Sequence, residues 1–313
     1  AASFLSNTNW QCYAVIPAGL TATYGRMVGS RRQGWAVFAA MMALFVVAVA
    51  LVYAAEVHPT AAMDAAGLSG PNLEGKEQRF GIASSSLFAA VTTAASGGAV
   101  NAAMESLSGL GGAIPTSEMM TGEVIWGGVG SGLYGMLLFV ILGVFISGLM
   151  VGRTPEFLGK KIEAREVKLT ILGTIAVPML VLFATALAIA TRYGDASIYN
   201  HGPQGFSETL YAYTSQGNNN GSAFAGYTGV TFADVLGGLA MLGGRFLPLL
   251  AVLAVAGSRG GPPDSPPGRG ALRTDTPTFG FVLVAVVLIV ALLTFVPALL
   301  LGPVVQGLSD QLY

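Results

Sequence analysis

The chain has 313 residues, a formal charge of −1, and only 10% charged against 53% apolar residues, where a soluble domain carries about 25% charged. That balance argues against a soluble domain and offers nucleic acid no basic surface. The lone Cys12 excludes an intrachain disulfide and leaves a thiolate cluster without partners, while His58 and His201 lie in polar loops without ligand spacing.

In chain order, the first informative segment is Ser6-Asn7-Thr8-Asn9-Trp10-Gln11, a run of small and amide residues. The apolar run from Ala14 to Tyr24 follows and is too short to span a bilayer. Five stretches then reach the roughly 20 apolar residues that a membrane helix needs. They are Trp35–Ala55, Ile125–Val151, Leu169–Ala190, Phe232–Ala256 and Thr278–Leu301. Arg26, Arg31 and Arg32 precede the first span. Arg153, Lys160, Lys161, Arg165 and Lys168 follow the second, and Arg259, Arg269 and Arg273 follow the fourth. The intervening loops hold only Lys76, Arg79 and Arg192. This alternation places the basic loops in the cytoplasm.

The two long outer loops, Glu56 to Val124 and Thr191 to Thr231, each contain a short helical candidate, Ile82–Thr93 and Phe206–Ser215. At about 1.5 Å per residue neither crosses about 30 Å of hydrocarbon, so both read as re-entrant half-helices. Each runs into small and amide residues, Thr92 to Val100 and Ser215 to Ala223. Irregular backbone at membrane depth survives only when buried in protein or lining a wet cavity. Carbonyls lining such a cavity replace the water of a cation, so the pattern indicates an ion pathway. The alternative is a pair of amphipathic surface helices with glycine-rich turns.

Several familiar patterns are rejected. Gly130-Ser131-Gly132-Leu133-Tyr134-Gly135 matches a dinucleotide-binding glycine pattern, but no strand precedes it. A break or gate within the second span, centred on Gly130 and Gly132, fits better because these glycines weaken a helix. Gly70 to Glu77 nearly matches a phosphate-binding loop, with Glu77 where a hydroxyl residue is required. The sequon at Asn220 falls in a filter-like position.

The strings SNTNWQ (Ser6–Gln11), NLEGKEQRFG (Asn72–Gly81), TTAAS (Thr92–Ser96), GGVGSGLYGM (Gly127–Met136), GRTPEFLGKKI (Gly152–Ile162), GFSETLYA (Gly205–Ala212) and NNNGSAFAG (Asn218–Gly226) carry a resemblance. The chain resembles the KdpA family, the potassium-binding subunits of Kdp-type potassium-transporting ATPases. The resemblance implies an all-α, multi-span membrane protein of the potassium-channel superfamily, built from membrane–pore–membrane repeats with re-entrant pore helices. It divides the chain into a first-repeat filter remnant (1–13), a remnant of the second repeat's last helix (14–33), and a third repeat (34–152). A coupling segment (153–168), a fourth repeat (169–257), a linker (258–277) and a C-terminal helix (278–313) follow.

By the same resemblance, potassium is the transported ligand and no other cofactor is needed. Three walls would line its site: Asn7, Thr8 and Asn9 with Gln11; Thr93, Ser96, Gly97 and Gly98; and Asn218, Asn219, Asn220 and Gly221. The implied partners are the catalytic P-type ATPase subunit KdpB, which hydrolyses ATP, and the accessory subunits KdpC and KdpF, in a bacterial inner membrane with the filter loops outside. This chain would itself carry no catalysis. Two departures stand out. The second filter segment is missing, so the chain reads as a partial member, and Gly97 stands where the family usually has Cys.

Arg245, inside the fourth span, is an intramembrane charge and so a functional candidate, either repelling a leaking cation or pairing with a partner's acid. Arg153 opens the Gly152–Lys168 segment, which reads as an amphipathic coupling helix starting near Pro155. The Pro- and Gly-rich stretch Gly257–Pro277 reads as a flexible linker. The alternatives in function are a Trk/Ktr-like potassium channel or transporter subunit, or a membrane fragment without transport.

Overall fold

The computed structural model describes residues 15–127, 131–261 and 272–310. The expected first filter wall (Asn7, Thr8, Asn9 and Gln11) and Gly130 lie outside those residues. Long apolar stretches fold as helices because a helix satisfies its own backbone hydrogen bonds without water. Helix α1 (Ile16–Met27) turns at Ser30 into α2 (Arg31–Val57). Gly25 and Gly34 let the two pack closely: a methyl on Gly34 would lie 2.5 Å from Thr21 O. A short α3 (Ala61–Ala65) and an irregular segment lead to α4 (Gly81–Ala94).

Beyond α4 the chain departs from expectation. A 3₁₀ turn (Met104–Ser106) precedes an additional helix, α5 (Gly109–Met120). Its three glycines and Pro115 disguise it in sequence, because both residue types weaken helices. Those glycines instead allow close approach, with a methyl on Gly109 only 2.5 Å from Gly307 N. The second span is therefore shorter than Ile125–Val151: helix α6 runs over Ser131–Val151. Ile125 to Gly127 belong to a buried turn in which Glu123 and Trp126 adopt φ of 52° and 62°. Trp126 fixes that turn, its ring 4.5 Å from Phe45 and 6.3 Å from Phe38. The expected interruption thus lies ahead of α6, whereas Gly132 and Gly135 are inside regular helix.

The expected coupling helix is also corrected. Strands β1 (Glu156–Phe157) and β2 (Lys160–Lys161) form an antiparallel hairpin. Leu158 and Gly159 have φ of 54° and 73°, the left-handed pair that closes a two-residue hairpin and breaks a helix. Pro155 packs against Gly148. Arg153 is exposed beside the hairpin.

Helix α7 (Ala164–Ala190) opens on a capping box formed by Glu163 and Glu166. After α8 (Arg192–Asp195), the second half-helix α9 spans Gly202–Asn218, and α10 spans Phe232–Ser258. Helix α11 (Pro277–Leu299) ends in a π-helical turn and α12 (Val305–Leu308). Among the described residues, five helices are long and apolar enough to cross a membrane: α2, α6, α7, α10 and α11. The chain is an all-α, multi-pass membrane protein.

Hydrogen bonds tie the loops at each end. At the basic end, Arg259 donates to Phe157 O and Lys160 O, while Lys160 Nζ donates to Arg259 O at 2.7 Å. Gln33 donates to Thr274 Oγ1 at 3.0 Å. Both described edges of the Gly257–Pro277 stretch are therefore anchored, unlike a wholly flexible linker. At the opposite end, Lys76 bridges to Ala102 and Ile198 to Tyr227.

A candidate ion filter between two half-helices

Helices α4 and α9 end within one another's reach. At 14 and 17 residues they stop inside the protein, and each C-terminus carries partial negative charge. After α4, Ser96 and Gly98 take φ of 52° and 69°. After α9, Asn219 takes φ of 61° and Gly221 of 102°. Only glycine adopts the last of these cheaply. The loops touch backbone to backbone: a methyl on Gly98 would sit 2.6 Å from Asn220 O and 3.1 Å from Gly221 Cα. Neither strand could approach the other this closely with a side chain at that position.

The amides divide their work. Asn219 forms the left-handed cap of α9, and its side chain donates to Met241 O at 3.1 Å. Asn218 donates back to Thr214 O at 2.9 Å. Asn220 is buried and crosses to the other wall, donating to Thr92 O at 2.8 Å and to Glu123 Oε1 at 2.7 Å. Its own Oδ1 accepts from Ser222 N and Ser222 Oγ. Gly97 N also donates to Thr92 O, at 2.9 Å. Thr93 is fully buried, with Oγ1 2.8 Å from Ala89 O and 2.9 Å from Glu118 Oε2. Ser96 Oγ donates to Glu123 Oε2. Glu123 therefore holds both loops at once.

Below the loops lies a small cavity of about 80 Å³, lined by Glu123, Tyr134, Asn218, Asn219, Gly244 and Arg245 among others. Arg245 and Glu123 share its walls, placing a guanidinium and a carboxyl group beneath the two loops. Gly132 stands where a methyl would strike Gly127 N at 2.3 Å, so it seats the turn that carries Glu123.

Carboxylates were the group the sequence reading passed over. Glu118 and Glu123 are each 3% exposed and lie in or beside apolar segments. The rule that flags Arg245, that an ionisable group at membrane depth is a functional candidate, would have flagged them too. Further from the filter, Glu56 is buried with Lys76 at 2.7 Å and accepts from Asn72 Nδ2, Ser108 N and Ser108 Oγ. Glu105 and Glu208 share Asn200 Nδ2, and Glu105 also accepts from Gly226 N.

Comparison with known proteins gives a consistent answer. Residues 12–308 match the family model "KdpA: Potassium-transporting ATPase A subunit". The chain is 54% identical over 296 residues to the potassium-transporting ATPase potassium-binding subunit of Granulibacter bethesdensis, covering 94% of this chain and 52% of that protein. The subunit of the same name from Methylobacterium nodulans is 55% identical over 295 residues, with the same coverage. That from Paracidovorax citrulli is 54% identical over 306 residues, covering 95% of this chain and 51% of that protein. The chain spans about half the length of the curated relatives it matches. With a family model covering nearly its whole length and two half-helices meeting at a glycine contact, the chain belongs to the KdpA family, the A subunits of potassium-transporting ATPases.

Proposed function

We propose that the chain supplies two walls of a potassium-selective filter, Thr93 to Gly98 and Asn218 to Gly221, in a subunit that takes up potassium for an ATP-driven pump. The observation that supports this reading most directly is the backbone contact of Gly98 with Asn220 and Gly221 at the ends of two half-helices. Carbonyls held at fixed spacing replace a cation's hydration shell, and two half-helix C-termini add favourable field. The segment Asn7 to Gln11 would supply a third wall.

Beneath the filter, the cation would meet the cavity shared by Glu123 and Arg245. The guanidinium there opposes straight-through leakage and favours a sideways exit toward a partner. The chain contributes selection and a path, and ATP hydrolysis belongs to the catalytic subunit KdpB, with KdpC and KdpF as accessory partners. The basic loops face the cytoplasm and the filter loops the outside of an inner membrane. The hairpin and Arg153 then present a positively charged surface to the cytoplasmic parts of the pump.

The test is potassium-limited growth of cells lacking other high-affinity uptake, expressing a full-length subunit that carries residues 12–308 together with the pump's other subunits. Growth at limiting potassium is expected, and Gly98→Asp and Gly221→Asp are expected to weaken it while leaving assembly intact. A membrane-inserted, assembled complex that gives no potassium uptake, or normal growth of both variants, overturns the reading.

A further inference from the structure

Glu118 is a carboxylate that a membrane-buried packing position would not select. It lies on α5 between Ser117 and Met119, is 3% exposed, and its Oε1 has no hydrogen-bond partner among the described residues. Burying such a group costs several kcal/mol unless it is compensated, so a residue needed only for volume would be apolar. Its other oxygen, Oε2, is 2.9 Å from Thr93 Oγ1. Thr93 is the second-to-last residue of α4, immediately before the filter loop.

The last turn of α4 is gripped on two sides. On one, Thr92 O accepts from Gly97 N and from Asn220 Nδ2 of the opposite wall. On the other, the Thr93 hydroxyl is held between Ala89 O of its own helix and Glu118 of α5. We infer that Glu118 is a positioning residue for the filter, setting the angle of the last α4 turn through Thr93 and so the aim of the carbonyls that follow. This rests on the filter reading above. It also gives α5 a role: the helix carries Glu118 to the back of the filter, and the turn after it carries Glu123 to the side. A hydrogen-bonding group of the right length is what the position requires, because the single Thr93 hydroxyl hydrogen is shared between Ala89 O and Glu118.

The experiment uses the full-length subunit in its assembled pump and reads potassium-over-rubidium preference in transport, with membrane abundance and thermal unfolding measured alongside. Glu118→Ala is expected to lower the preference about tenfold, the size of one net buried hydrogen bond. Glu118→Gln, which keeps a hydrogen-bonding group of the same length able to donate or accept, is expected to retain most of it. Thr93→Val should lose a similar amount, and adding Glu118→Ala to Thr93→Val should cost little more, because both remove one contact. Should Glu118→Ala fail to accumulate, Thr93→Val with and without Glu118→Gln decides the same question.

A Glu118→Gln variant as poor as Glu118→Ala, or additive losses in the double variant, overturns the positioning role. So does an unchanged preference in Glu118→Ala. An unsubstituted pump that shows no potassium preference overturns the filter reading and this inference together, whereas normal selectivity with an indifferent Glu118 overturns only the latter.

Discussion

The two membrane–half-helix–membrane units share a plan but return to the membrane differently. In the C-terminal of the two, α9 and its loop lead into α10, an unbroken helix of 27 residues. In the N-terminal one, α4 and its loop lead into α5, a buried turn, and only then α6. The interruption carries Glu123, which accepts from Ser96 of its own unit and Asn220 of the other. A continuous helix would have kept that carboxylate on a helical face. The broken unit therefore braces both loops, while the continuous one supplies Arg245 and the far wall of the cavity.

The long loops of the two units differ as well. The N-terminal unit is fastened by a buried ion pair, Lys76 with Glu56, and the C-terminal unit is joined to it by the Glu105–Asn200–Glu208 cluster. The largest expected effect breaks the first of these. Lys76→Met removes the cation beside buried Glu56 and leaves it only its hydrogen bonds from Asn72 and Ser108, a loss of roughly 3–5 kcal/mol. A large drop in thermal stability with little change at Glu208→Gln would confirm the asymmetry. Equal losses would show that the two long loops are fastened alike.

Next in size is the contact between the loops. At Gly98 an added side chain meets the backbone of Asn220, whereas at Gly221 the nearest atom, Gly98 Cα, is 3.6 Å away. Gly98→Ala is expected to damage selectivity and stability through overpacking of roughly 1–3 kcal/mol. Gly221→Ala acts mainly through its φ of 102°, a strain of comparable order. Ion-selectivity measurements on both separate the two causes. Only the Gly98 defect should be relieved by a change that loosens the Asn220 loop.

An effect of similar size tests the interruption. Gly132→Ala pushes a methyl into Gly127 and should displace the Glu123 turn at a cost of roughly 1–3 kcal/mol. It should alter the coupling of potassium binding to ATP hydrolysis more than it alters assembly. Normal potassium-stimulated ATPase activity would reduce Gly132 to a packing residue.

The smallest effect concerns pH. Burial, and then a hydrogen bond with Glu105, hold the Glu208 carboxyl above its ordinary range. A raised carboxyl binds its proton more tightly in the folded than in the unfolded protein. Its contribution to stability is thus full below the ordinary carboxylate value and declines as pH rises toward neutrality. Unfolding measured across that window should show this slope, and Glu208→Gln should flatten it.

Much of this was legible in the chain itself. Hydropathy alone locates the five spanning helices, because length and apolar content decide whether a segment can cross hydrocarbon. The half-helices Ile82–Thr93 and Phe206–Ser215 fall within α4 and α9, since their boundaries are local. Glycines at Gly98 and Gly221 announce backbone that other residues resist, and both have positive φ. The hairpin at Glu156–Lys161 escaped because charge pattern and Pro155 favoured a helix, whereas the turn at Leu158-Gly159 and the grip of Arg259 govern it.

What the sequence determined by itself was the order of elements and the places where the backbone must bend, properties set by neighbours within a few residues. Only the tertiary structure decided which polar groups meet. Asn220 reaches Thr92 and Glu123 across sequence separations of 128 and 97 residues, and Thr93 meets Glu118 on a helix that sequence did not announce. Such partners are chosen by folding because a buried polar atom must find one or bear its desolvation cost, and no local pattern records which one it finds.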